Sequence, residues 1–169
     1  MIYRRTKIAD IEKIMEIIKQ AQEYLKSQGI NQWQDGYPDV NAISHDINEG
    51  YGFVLEEDGE VIATAAVSYD GEPTYKDIHE GKWLSDYSYA VIHRVAVDKN
   101  YKGKGLSSEI IKQVELDCHS KKVKSIKVDT HEQNVVMQNL LKKHGFSYCG
   151  FIYLESGDKR LAFEKLLTE

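Results

Sequence analysis

Apolar residues near the start of the chain recur at helical spacing. Ile8, Ile11, Ile14, Met15, Ile18, Ala21 and Leu25 follow one another every three or four positions up to Gly29, which predicts an amphipathic helix ended by glycine. A short strand over Ile2 to Lys7 precedes it. After the polar and aromatic run Ile30 to Tyr37, Pro38-Asp39 opens a second short helix carrying Val40, Ile43 and Ile47 before Gly50. The pattern then turns β-rich. Tyr51 to Glu56 and Val61 to Ser68 are joined by Glu57-Asp58-Gly59-Glu60, where Asp-Gly supplies the positive φ angles of a tight hairpin.

Asp70 to Asp86 is polar with scattered aromatics and too long for a plain connection, so a functional lid or insertion is expected there. Beyond it the pattern predicts a strand over Tyr87 to Val97, a helix over Lys104 to Ser120, a strand over Ser125 to Thr130 and a helix over Gln133 to His144 stopped by Gly145. Strands Phe146 to Leu154 and Arg160 to Leu166 follow. Strands and helices interleave, with hairpins at both ends. The prediction is one α/β domain over residues 1–169, an α+β mixed sheet of about seven strands covered by four helices.

Composition narrows the function. The chain has 169 residues, 41% apolar and 29% charged, as in ordinary globular proteins. Its net charge of −5 is spread along the sequence, without the basic face that a phosphate backbone requires, so nucleic acid is not an expected partner. A mildly acidic surface suits a cationic partner such as a polyamine, amino sugar or lysine side chain. No stretch approaches the length of a membrane span and the first residues lead into no apolar signal core, so a cytoplasmic protein is expected. Cys118 and Cys149 lack metal or CxxC spacing; two thiols, no disulfide and no metal are expected.

Chemistry concentrates after the strand ending His93-Arg94-Val95-Ala96-Val97. The segment Asp98-Lys99-Asn100-Tyr101-Lys102-Gly103-Lys104-Gly105-Leu106-Ser107-Ser108 opens directly into a helix. Alternating glycines let backbone N–H groups converge and the helix N-terminus adds partial positive charge, so the loop suits a pyrophosphate. The same glycines also read as a surface turn. The Walker pattern is absent, and the third Rossmann glycine is replaced by Ser108, which counts against an ATP- or NAD-binding enzyme.

This stretch resembles the acyl-CoA pyrophosphate loop of the GNAT superfamily, whose pattern is Gln/Arg-x-x-Gly-x-Gly/Ala after a strand ending in an apolar-x-Val. Here it reads Asn100-Tyr101-Lys102-Gly103-Lys104-Gly105 after Val95-Ala96-Val97, with Asn100 in place of Gln or Arg. A second segment, Asn134 to Gly145-Phe146, is similar to the family's strand-Asn-helix-Gly-Phe arm; Asn134 also reads as a helix N-cap. The likeness runs from about Ile2 to Leu167.

The resemblance implies a single GNAT-like domain with a mostly antiparallel sheet splayed at the acyl-CoA site, acetyl-CoA as co-substrate, and acetylation of a primary amine of a small molecule or peptide by direct attack. It implies that Val95, Ala96, Val97, Lys102, Gly103, Lys104, Gly105, Leu106, Ser107 and Asn134 hold the acyl-CoA, with backbone N–H groups around Val95 to Val97 at the oxyanion. A homodimer is admitted and not required. A non-catalytic acyl-CoA sensor is the alternative, because Leu141 stands where many members carry a tyrosine acid, leaving His144, Tyr148 or water for that role.

For the base, His93 is the first choice and His131 and Glu132 the reserves, with Asp129 orienting one of them; His93 equally reads as a packing residue on the face of Tyr89, Val91 and Val95. Trp33 and Tyr37, with Tyr75 and Trp83, read as an aromatic wall for a cationic acceptor, with Asp35 and Asp39 as its charge partners, or as loop anchors.

Overall fold

The computed structural model describes residues 1–168. Seven strands form one sheet: β1 (Ile2–Arg5), β2 (Gly52–Glu57), β3 (Glu60–Ser68), β4 (Tyr89–Val97), β5 (Ser125–Thr130), β6 (Ser147–Tyr153) and β7 (Lys159–Leu166). The helices are α1 (Ile11–Ser27), α2 (Val40–Glu49), α3 (Leu106–Lys121) and α4 (Val135–Lys143). Strand order is β1-β2-β3-β4-β5-β7-β6. β1 with β2, β2 with β3, β5 with β7 and β6 with β7 are antiparallel. β4 and β5 run parallel over three residue pairs, Tyr89↔Ser125 to Val91↔Lys127. The expected mixed, mostly antiparallel sheet with four helices is present.

Contacts gather into two compact units, Met1–Val67 with His93–Gln113, and Ser68–Ile92 with Val114–Glu169. In the first, α1 buries Ile14, Ile17 and Ile18 against Ile43 of α2, Val54, Val61 and Ala96, with Ile11, Met15, Ala21, Trp33 and Ile47 packed around them. The apolar stripe departs from the sequence reading at its start. Ile8 is 77% exposed because Ile8–Asp10 forms a 3-10 turn, and the α-helical register begins only at Ile11. The Asp58-Gly59 hairpin forms as expected, with φ of 52° and 79°.

The second unit contains the Asp70–Asp86 segment, which is a strap over its own unit. Pro73–Lys76 makes a 3-10 turn, and Tyr75 is buried with Val91, Ile152 and Ala162. His79 pairs with Phe151 in an antiparallel bridge, N–H to O at 2.8 Å and back at 3.0 Å. That bridge covers the outer edge of β6, the kind of edge that otherwise invites foreign strands. Backbone contact there is close enough that a Cβ on Gly81 would collide with the Cys149 carbonyl, and one on Gly150 (φ +138°) with the His79 carbonyl.

Candidate functional site

In the first unit, β4 leads into the glycine loop. Arg94 sits inside β4 with φ 54°, a left-handed conformation that costs a non-glycine residue about 1–3 kcal/mol. Its side chain explains how it is held. Arg94 Nε donates to Asp46 Oδ2 at 2.9 Å and Nη2 donates to Asp46 Oδ1, while Nη1 donates to the Tyr37 hydroxyl at 2.7 Å. Asp46 is buried on α2. A guanidinium fork against a carboxylate is the strong form of such a pair, and it ties the kink in β4 to α2. A left-handed residue interrupts strand alternation, so the facing of His93 cannot be carried across Arg94 to Val95. His93 is half-buried immediately before this kink; Val95 and Val97 are half-buried, and Ala96 is in the core.

The loop itself has the conformation its glycines allow. Gly103 and Gly105 have φ of 79° and 75°, and a Cβ on either would meet nothing within 4 Å. The positive φ therefore requires glycine, while the space in front of both residues is open. Leu106 begins α3, whose first N–H groups have no intrahelical acceptor. Gly103, Gly105 and this helix start offer backbone donors and positive dipole to an anion, which fits a pyrophosphate.

Three residues on one stripe of α1 brace the loop. Lys13 Nζ pairs with Asp98 Oδ2 at 2.9 Å. Gln20 Oε1 accepts from the Lys99 N–H at 2.9 Å. The Lys102 ammonium stands 4.1 Å from the Tyr24 ring centroid. Asp98 also accepts from the Asn100 N–H at 2.9 Å and donates its own N–H to the Ile62 carbonyl. Burial pushes the Asp98 carboxyl up, but the Asn100 N–H and the Lys13 ammonium outweigh it and hold the group below the usual carboxylate range. Lys104 lies over Tyr101. These anchors were missed in the sequence, and the one available signal was the acidic residue opening the loop, Asp98, whose ion-pair partner Lys13 is far away along the chain.

Of the expected aromatic wall, Tyr75 is buried and Tyr37 is exposed. Trp33 packs on the α1 core and Tyr37 accepts from Arg94. Asp39 N-caps α2 through the Ala42 N–H. Tyr75 donates to Asp129 Oδ2 at 2.6 Å. Trp83 and Tyr89 do hold a cation, but it is the protein's own: the buried Lys127 ammonium stands 4.3 and 4.0 Å from their centroids. Burial pushes the Lys127 ammonium below the usual lysine range, and nearby Glu164 opposes that shift. Glu164, fully buried, accepts from the Leu84 N–H, the Ser85 hydroxyl and the Ser125 hydroxyl at 2.8, 2.6 and 2.8 Å.

His131, Glu132 and Asn134 lie in the second unit, where β5 turns into α4. Asn134 caps α4 through the Met137 N–H at 3.1 Å. His131 Nδ1 accepts from the Gln133 N–H at 3.0 Å, and burial with the Arg160 charge pushes its imidazole below the usual range. A neutral ring that accepts at Nδ1 carries its proton on Nε2, so it is a donor. Glu132 pairs with Lys159 at 3.4 Å on the surface. Leu141 is buried, His144 is the C-cap of α4, and Tyr148 is exposed against Phe163.

Cys118 and Cys149 are buried free thiols, and burial pushes Cys118 up to about 11. Among the described residues no group of three His, Cys, Asp or Glu could hold a metal, and no helix is long and apolar enough to cross a membrane.

Comparison with known proteins follows the same geometry. Residues 13–146 match the Acetyltransferase (GNAT) family. A GNAT family acetyltransferase from Streptococcus agalactiae 2603 superposes with a TM-score of 0.90 at 37% identity, over 99% of this chain and 96% of that one. The uncharacterized N-acetyltransferase YesJ of Bacillus subtilis is 23% identical over 83% of this chain and 78% of its own length. The S-(2-succino)cysteine N-acetyltransferase of the same bacterium is 24% identical over 98% of this chain and 95% of its own.

Proposed function

The chain belongs to the GNAT acetyltransferase family, and we propose that it transfers the acetyl group of acetyl-CoA to the primary amine of a small molecule or peptide by direct attack. The observation that carries the reading is the loop Lys102–Ser107: two positive-φ glycines with open space before them, feeding a helix N-terminus and braced on α1. Backbone N–H groups of Gly103, Lys104, Gly105, Leu106 and Ser107 bind the pyrophosphate, with Lys102 adding charge. Asn134 contributes a contact to the pantetheine while capping α4.

His93 takes a proton from the acceptor ammonium or its water, and the neutral nitrogen attacks the thioester carbon. N–C bond formation places negative charge on the carbonyl oxygen, which the backbone N–H groups of Val95 to Val97, aimed by the Arg94 kink, stabilise. Collapse breaks the C–S bond and releases the CoA thiolate, and the extra proton on the former amine nitrogen passes to water to leave the neutral amide. Leu141 cannot donate to it, and a thiolate of ordinary acidity leaves without help near neutral pH. His131, a donor at Nε2, and Glu132, tied to Lys159, are the weaker base candidates. Trp33 and Tyr37 border the acceptor through the loop before α2, and the reaction is placed in the cytoplasm.

The test is thiol release from acetyl-CoA across a panel of amines, beside competition binding of CoA, NAD and ATP. Amine-dependent release with CoA-selective binding is expected; CoA binding without release from any amine would favour the sensor reading, which the buried Leu141 motivates. His93→Ala should lower kcat by about 100-fold or more with acetyl-CoA affinity unchanged. Unchanged turnover on the best amine would return His93 to packing.

A further inference from the structure

Two residues of the first unit each break a local rule, and they are bonded to one another. Arg94 lies inside β4 with φ 54°, where a strand expects extended backbone and a Cβ makes the left-handed form unfavourable. Asp46 lies in the last turn of α2, which ends at the C-cap Gly50. A carboxylate there faces the negative end of the helix dipole, and that turn, Asp46 to Glu49, carries no basic residue.

Asp46 is nevertheless 3% exposed, and a buried carboxylate needs a partner. Arg94 supplies it through Nε at 2.9 Å and through Nη2. The Tyr37 hydroxyl accepts from Nη1 at 2.7 Å, so every nitrogen of the guanidinium donates within the protein. The fork is turned onto α2 and the loop before it. Local rules are broken together where a site requires it, and Arg94 directly precedes Val95 to Val97, whose N–H groups stabilise the oxyanion in the proposed transfer.

Resting on the acetyltransferase reading above, we infer that Asp46 and Arg94 are positioning residues for the transfer step: their ion pair holds residue 94 left-handed and so fixes the direction of the Val95 to Val97 N–H groups, without touching the acetyl group. Arg94 achieves with a tethered side chain what glycine achieves by having no Cβ. The pair acts through one backbone dihedral, and a glycine at that position stands in for it.

The test uses that substitution. Removing Arg94 alone would strand a buried carboxylate and endanger the fold, so two variants are compared that both carry Asp46→Asn. Asp46→Asn/Arg94→Gly should keep kcat within about three-fold of wild type, because glycine adopts positive φ readily. Asp46→Asn/Arg94→Ala should fall about 10-fold below it, the population lost when a residue with a Cβ reverts to extended backbone. KM for acetyl-CoA should stay within about two-fold in both, since the phosphate loop is untouched. This order is the reverse of a packing effect, in which glycine weakens a strand more than alanine does. Equal kcat in the two variants, alanine above glycine, or a loss confined to melting temperature would overturn the inference. If neither double variant folds, Asp46→Asn alone decides: lowered kcat at unchanged KM supports the positioning role, and unchanged kcat overturns it.

Failure of the acetyl-transfer reading is separable by NMR without acetyl-CoA, where scalar couplings and sequential NOEs across residues 94 and 95 report φ. Left-handed backbone in the wild type and the Arg94→Gly variant, and extended backbone in the Arg94→Ala variant, are expected whether or not thiol is released. A kink that persists in the Arg94→Ala variant overturns the inference even if amines are acetylated. The expected change with no thiol release from any amine sustains the ion pair's hold on β4 and rejects acetyl transfer.

Discussion

The glycine loop at 98–107 and the strap at 70–86 look alike along the chain, since both are polar segments that begin just past a predicted strand. In the fold they are opposites. The loop takes its open shape from its own backbone, with α1 side chains bracing its base: Gly103 and Gly105 adopt positive φ with open space before them, and the helix that follows supplies the dipole. The strap is specified by partners far away in sequence, Tyr75 by Asp129, Leu84 and Ser85 by Glu164, His79 by Phe151. Local backbone chemistry suits a site that must stay open for a ligand, whereas side chains buried at long range suit a segment that must stay shut.

The sharpest way to break this contrast is at the strap's tightest backbone contact. Gly150→Val adds a Cβ against the His79 carbonyl at a residue with φ +138°, so it should cost several kcal/mol, about 4 or more, as an overpacked and strained position does. Thermal melting and amide exchange of His79 and Phe151 read it; a native melting temperature would show the strap to be loosely held.

Next in size, Gly105→Val should weaken CoA binding by about 100-fold, because it strains the loop and fills the open cradle, while the fold survives. Calorimetric titration with CoA measures this, and normal affinity would move the cofactor site elsewhere. Smaller still is the effect of loosening the brace. Asp98→Ala, losing Lys13 and the Asn100 N–H together, should cost stability by about 1–3 kcal/mol and raise KM for acetyl-CoA by about 10-fold with kcat little changed. A drop in kcat alone would argue against a positioning role.

The smallest effect is a difference in sign between two lysines. Asp98, by hydrogen bonding, raises the Lys13 ammonium above its usual range, so its contribution to stability is full below the unfolded lysine pKa and is lost as pH rises through the folded one. Burial lowers Lys127, so the unfolded state binds more protons between the two pKa values and stability from this group rises with pH there. NMR titration of lysine Cε signals should show Lys127 losing its proton before Lys13; the reverse order would deny the strap its buried cation.

Helix and strand periods, the Asp58-Gly59 turn and the paired Gly103 and Gly105 were legible because each depends on residues within a few positions. So were the seven strands and four helices, since alternation and helical spacing are local. Family membership, too, was readable from the glycine loop and the Asn134 to Phe146 arm. Other features were hidden. Arg94 in β4 looked like an ordinary strand residue until Asp46 and Tyr37 were brought to it. Trp83 looked free to bind an acceptor until Lys127 occupied its face.

By itself, the sequence determined the elements, their order, the conformational freedom of the phosphate loop and the chemistry of its anion cradle, because backbone dihedrals and dipoles are set by neighbours along the chain. Only the tertiary structure decided which polar side chains were already satisfied and which were not. Aromatic, acidic and basic residues are interchangeable candidates until folding assigns their partners across dozens of positions, as it does for Trp83 with Lys127 and for Arg94 with Asp46.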